Sequence, residues 1–152
     1  MSDKLDVVGI GNAMVDAIIP SNQSEIEKHE INRDSMNLID ENLKNNLHES
    51  YSIREMAGGG SLGNSMFGIT SFGGNGSFIG KIKNDEIGVY LQKDMIREGL
   101  KFPLGFTSPD ISTGCCTIFV EEDGTRTMCT FLGAGTLIAV SYTHLTLPTN
   151  AH

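Results

Sequence analysis

The chain has 152 residues, enough for one domain with its own core, and 39% hydrophobic with 20% charged residues is the make-up of an ordinary globular protein. Its formal charge is −8 and no block of Lys or Arg interrupts that acidity. A nucleic-acid or membrane-surface binder needs a basic patch to meet phosphates, so both classes are excluded as partners.

In chain order, Leu5 to Gly11 reads as a buried strand that ends in glycines, and Ala13 to Ile19 as a second strand stopped by Pro20. Ser24 with Glu25 and Glu27 is a helix start or a polar loop. Asp34 to Leu47 carries Met36, Leu38, Ile39, Leu43 and Leu47 at roughly helical spacing. Tyr51 to Met56 reads as a short strand leading into the glycine loop Ala57-Gly58-Gly59-Gly60-Ser61-Leu62-Gly63-Asn64-Ser65. Asn64 to Phe72 then forms a helix closed by Gly73-Gly74, and Ser77 to Gly80 a buried strand. Asp85 to Glu98 is an amphipathic helix through Ile87, Leu91, Met95 and Ile96, closed by Gly99. Gly114 to Val120 and Arg126 to Leu132 are strands joined at Glu121-Glu122-Asp123-Gly124, a hairpin turn. This alternation predicts an α/β fold with a mostly parallel sheet and an added antiparallel element.

No apolar stretch is long enough to span a bilayer, and Met1-Ser2-Asp3-Lys4 lacks the apolar core of a signal peptide. The cysteines, Cys115, Cys116 and Cys129, form no CxxC pair, so a reduced, cytoplasmic setting is the simplest reading. Cys115 and Cys116 fit as small core residues of a strand. His29, His48, His144 and His152 share no metal-like spacing. From about Ala139 the earlier pattern stops, and residues 139–152 read as a non-native tail, leaving 1–138 as the domain.

Two glycine motifs fail on single residues. Gly9-Ile10-Gly11-Asn12-Ala13-Met14 has Met14 where the dinucleotide fingerprint needs its third glycine, and strand rather than helix follows. Gly58 to Ser65 has neutral Asn64 where a P-loop needs the lysine that holds the β- and γ-phosphates. The loop that remains binds through amides and hydroxyls. Asn64 offers a donor and an acceptor, suited to vicinal sugar hydroxyls. Asp16, an acidic residue inside an apolar strand, needs a partner if buried, and a ligand diol supplies one. The plainer alternative puts Asp16 at a solvated strand end and makes the glycines a tight turn. Asn12, Asp16 and the glycine loop together favour a ligand. Arg126, just past the hairpin turn, reads by itself as a solvated surface arginine.

Three segments resemble the PfkB-type, ribokinase-like carbohydrate and nucleoside kinases. They are Val8 to Asp16, then Gly58 to Asn64 continuing through Gly73, Phe78 to Lys81 and Asp85 to Gly88, and finally Thr113 to Cys116 with Asp123 to Met128. The third leans toward the adenosine-kinase-like branch. Met66 departs from the family's usual small residue. The resemblance implies a sheet flanked by helices with a small antiparallel β lid, through which copies pair in some members. It implies ATP and Mg²⁺ as donor and cofactor, and a sugar or nucleoside, adenosine foremost, as the acceptor. Asn12, Asp16, Gly59, Gly60 and Asn64 would then hold sugar hydroxyls, Arg126 would approach the transferred phosphate, and Cys116 and Met128 would lie beside a nucleobase.

The family's second signature, Asp-Thr-x-Gly-Ala-Gly-Asp, carries its catalytic aspartate and has no match here; Gly133-Ala134-Gly135 lacks the following Asp. The chain is therefore expected to be an N-terminal portion that is inactive alone, with Ile118, Phe119 and Phe131 poorly covered. A free-sugar kinase and a non-catalytic binding module are the rival readings.

Overall fold

The computed structural model describes residues 4–108 and 110–138, so the expectation of a foreign tail over 139–152 lies outside the described residues. Strand β1 (Val7–Ile10) pairs in parallel with β5 (Gly76–Ile79), and helix α3 (Ser61–Ser71) packs over both. Beyond them lies a five-stranded sheet, built from β2 (Met14–Pro20), β3 (Met36–Leu38), β4 (Glu55–Gly59), β8 (Gly114–Val120) and β9 (Arg126–Phe131) in the order β3-β9-β8-β2-β4. A small parallel pair, β6 (Ile82–Lys83) with β7 (Phe106–Ser108), completes the strands. Four of the six pairings are parallel; β2 with β4 and the β8–β9 hairpin are antiparallel. The mixed α/β architecture with an antiparallel element is as expected.

Side-chain alternation gives the five-stranded sheet two different faces. On one, Val15, Ala17, Ile19, Cys115, Phe119 and Cys129 are fully buried. Helices α1 (Gln23–Glu27), α2 (Glu41–Ser50) and α4 (Glu86–Arg97) provide the cover, with Ile26 and Leu47 set against Ile19 and Phe119, and Leu91 and Met95 joining Val15. Tyr51 meets Phe119 edge to face at 5.3 Å between ring centres. The expectation of a poorly covered Phe119 is thus corrected: α1 and α2 close over it, while Ile118 and Phe131 stay half-buried. On the other face no helix lies over β3, β9 and β8 among the described residues, and Met36 and Leu38 are 56% and 67% exposed.

Helix starts follow from side-chain caps. Asn22 and Glu25 form a reciprocal capping box on α1, which decides for a helix there. Asp40 accepts from the Leu43 N–H, and Asp85 from that of Gly88. The Asp40 cap explains a second correction. The helical spacing over Asp34 to Leu47 mixes two elements: Met36–Leu38 is strand, and only Glu41–Ser50 is helix. A third concerns the glycine loop: Gly58 and Gly59 close strand β4, and only Gly60 turns, with φ at 79° as the residue before α3. That left-handed backbone suits glycine alone at no cost.

Candidate functional site

Asp16 lies mid-strand in β2 and points to the open face with Ile18, between buried Val15 and Ala17. It stands opposite Ala57 of β4 on one side and Cys116 of β8 on the other. Its carboxylate rests directly on Gly59, where any Cβ would overlap it. The site's first requirement is therefore a glycine at 59, because the carboxylate occupies the space a side chain would take. Among the described residues no hydrogen bond or ion pair reaches that carboxylate. Burial pushes its pKa above the ordinary 3.8, with no cation to offset the penalty. A half-buried carboxylate left so is poised to accept from an incoming hydroxyl.

Gly60 follows at once, against Met14 and the Asn12 carbonyl, and it caps α3 without a side chain, so the first amides of that helix stay open. Asn64 sits one turn into α3, its backbone N–H donating to the Gly60 carbonyl at 2.9 Å and its side chain exposed. Asn12 is exposed in the link between β1 and β2, two residues before the strand that carries Asp16. It is braced by Gly135, in the short 3-10 turn Gly133–Leu137, whose missing side chain leaves room for the asparagine. Asn12, Asp16, Gly59, Gly60 and Asn64 are thus brought to one corner, where β2, β4 and α3 meet.

Cys116 continues this corner along the open face. Its thiol accepts from the Thr130 hydroxyl at 3.4 Å. Burial pushes its pKa up, against the downward pull of that hydroxyl and with a further push from Asp16. Met128 pairs with Ile118 on β8 and with Met36 on β3. Ile18, Ile118, Met128, Met36 and Leu38 make an apolar surface beside the polar corner. Met36 and Leu38 escaped the sequence reading because their spacing mimicked a helix; their alternation about Asn37 is the strand signal that was there. Arg126 stands apart. It is exposed at the far end of β9, four residues from Thr130 and so about 13 Å along the strand. The structure leaves it outside the polar corner.

Over residues 5–141 the sequence matches the pfkB family of carbohydrate kinases. The chain belongs to that family. No curated protein sequence matches it. Among solved structures, adenosine kinase from Sinorhizobium meliloti is 35% identical and superposes with a TM-score of 0.80, over 91% of this chain and 42% of that one. A "probable sugar kinase protein" from Rhizobium etli CFN 42 is 32% identical at a TM-score of 0.75, over 86% of this chain and 40% of the other. Anopheles gambiae adenosine kinase, solved with P1,P4-di(adenosine-5) tetraphosphate, shares the fold at 22% identity and a TM-score of 0.78, over 90% and 42%. The chain therefore spans about 42% of the length of the adenosine kinases it matches. The ribokinase-like fold of these relatives agrees with the α/β architecture and its lid-like sheet.

Among the described residues no group of three or more His, Cys, Asp or Glu is placed to hold a metal ion, so none is assigned to Mg²⁺. Among them, too, no helix is long and apolar enough to cross a membrane.

Proposed function

We propose that this chain forms the nucleoside-holding part of a kinase that transfers the γ-phosphate of ATP to a primary hydroxyl of adenosine or a related nucleoside. The observation that carries the reading is Asp16, half-buried, without a partner among the described residues, and seated on Gly59 at the edge of an apolar sheet face. In this reading Asp16 accepts from the ribose hydroxyls, while the amides following Gly60 and the Asn64 side chain complete the polar corner and Asn12 assists. Cys116 and Met128 lie beside the base, which rests on the apolar surface. Arg126, which by the resemblance approaches the transferred phosphate, would reach it only if the β8–β9 hairpin closed toward the ribose, because here it stands outside the polar corner. In family enzymes positioning and charge neutralisation do most of the work of such a transfer. No residue here is assigned as the catalytic base, because the sequence has no Asp-Thr-x-Gly-Ala-Gly-Asp stretch.

A free sugar is the second reading, favoured by the 32% identity to the Rhizobium etli protein. Calorimetry separates the two. Adenosine is expected to give saturable heat with the purified chain, and ribose to bind at least tenfold more weakly, because only adenosine covers the apolar face. Ribose binding as tightly as adenosine would overturn the nucleoside assignment, and no heat from either would overturn the site itself. The lid-like sheet is also proposed as the surface through which two copies pair, since β3 forms one of its edges.

A further inference from the structure

We propose that Asp85 is a positioning residue for the nucleoside site, acting through Thr113 on the start of strand β8. The inference rests on the nucleoside reading above and names the residue that holds the two walls of that site together.

Among the described residues the apolar core falls into two clusters. One gathers Met66 of α3, Phe78 of β5, and Leu91 and Met95 of α4; the other gathers Ile26, Leu47, Phe119 and Cys129. In the nucleoside reading the ribose side of the site draws on Gly60 and Asn64, which belong with α3 and so with the first cluster. The base side draws on Cys116 and Met128 of the β8–β9 hairpin, which the second cluster carries. A ligand that touches both walls needs them fixed against each other.

Thr113 stands at that junction, one residue before β8 and fully buried. Its N–H donates to Asp85 Oδ2 at 2.9 Å, and its hydroxyl donates to Oδ1 at 2.8 Å while accepting from the Lys83 N–H at 3.0 Å. Asp85 Oδ1 also takes the Gly88 N–H at 2.8 Å, so one carboxylate joins the start of α4 to the start of β8. Gly88 leaves the room this needs, since a Cβ there would fall 2.1 Å from the Lys83 carbonyl oxygen and 2.7 Å from Thr113 Oγ1. Directly after Thr113, Gly114 stands opposite Met14 of β2, and two residues further on Cys116 stands opposite Asp16. The grip on Thr113 thus reaches the strand that borders the polar corner. A helix cap requires only the Gly88 bond, which a serine supplies equally well. The two bonds to Thr113 go beyond a cap, and a charged acceptor makes each of them stronger than a neutral one.

Adenosine titrations followed by calorimetry and by the Met128 methyl resonance test this, because that methyl reports the affinity of folded molecules alone. Asp85→Ser keeps a cap for Gly88 but is too short to reach Thr113, and should weaken adenosine binding about tenfold. Thr113→Val loses only the hydroxyl bonds and should weaken it about threefold. Thr113→Ser keeps the hydroxyl and should recover most of that loss. A merely structural role would lower the urea midpoint and leave the affinity of folded molecules unchanged. Full affinity in folded Asp85→Ser or in Thr113→Val would therefore overturn the proposal, as would Thr113→Ser binding no better than Thr113→Val. No adenosine binding by the parent chain would instead remove the nucleoside reading, and this role with it.

Discussion

Asp16 is retained at a cost to the unliganded fold. Its pKa is raised in the folded chain, so between 3.8 and the folded value the native state binds more protons than the unfolded one. Stability is therefore higher below the unfolded pKa, and part of it is lost as pH rises through that window. At neutral pH the carboxylate is charged in both states and the full penalty applies. Asp16→Asn should accordingly raise the melting temperature at pH 7, and the gain should vanish as pH falls below 3.8. Thermal melts of both proteins across that range check this. A variant no more stable than its parent at pH 7 would mean that the carboxylate has a partner after all. The same substitution is expected to weaken nucleoside binding, the trade-off of a residue kept for function rather than stability. Both Asp16 and Gly59 were legible in the sequence, as an acid in an apolar strand and a glycine run. Their contact was not, because the register of β2 on β4 is a property of the folded sheet.

At the scale of elements, the glycine strand is held in place from behind. Asp94, buried in α4, accepts from the Gly58 N–H at 2.8 Å and pairs with Arg97. Gly58 has no room for a side chain, with Phe67 and Asp94 both against it. β4 is thus clamped to α4 one residue before Gly59. Asp94→Leu leaves the Gly58 N–H buried and unpaired, which costs about 1–3 kcal/mol. Asp94→Asn keeps an acceptor and should lose less. Urea titrations of the two variants measure the difference, and an equal loss would contradict the clamp. This link joins elements 36 residues apart and left no trace in local spacing. Helices α3 and α4 were legible because glycines close both and apolar spacing runs through them. Residues 34–47 were not, because a three-residue edge strand and the first turn of a capped helix together imitate one helix. The strands β6 and β7, of two and three residues, are too short to show a period.

At the scale of the molecule, the two sides of one sheet have different roles. Helices seal the side that carries Phe119 and Ile19, and among the described residues the other side is left open with Asp16 and Gly59 at one end and Arg126 at the other. The family, the α/β class and the residues of the polar corner could be read from motifs. The apolar surface could not, since Met36, Ile18, Ile118 and Met128 come from four strands whose order no local pattern encodes. The central claim is that this open face holds a nucleoside with its ribose on Asp16, and a crystal structure of the chain grown with adenosine tests it most directly. The account predicts a ribose hydroxyl within hydrogen-bond distance of the Asp16 carboxylate and the base against Cys116 and Met128. Adenosine bound elsewhere, or with its ribose turned away from Asp16, would contradict it.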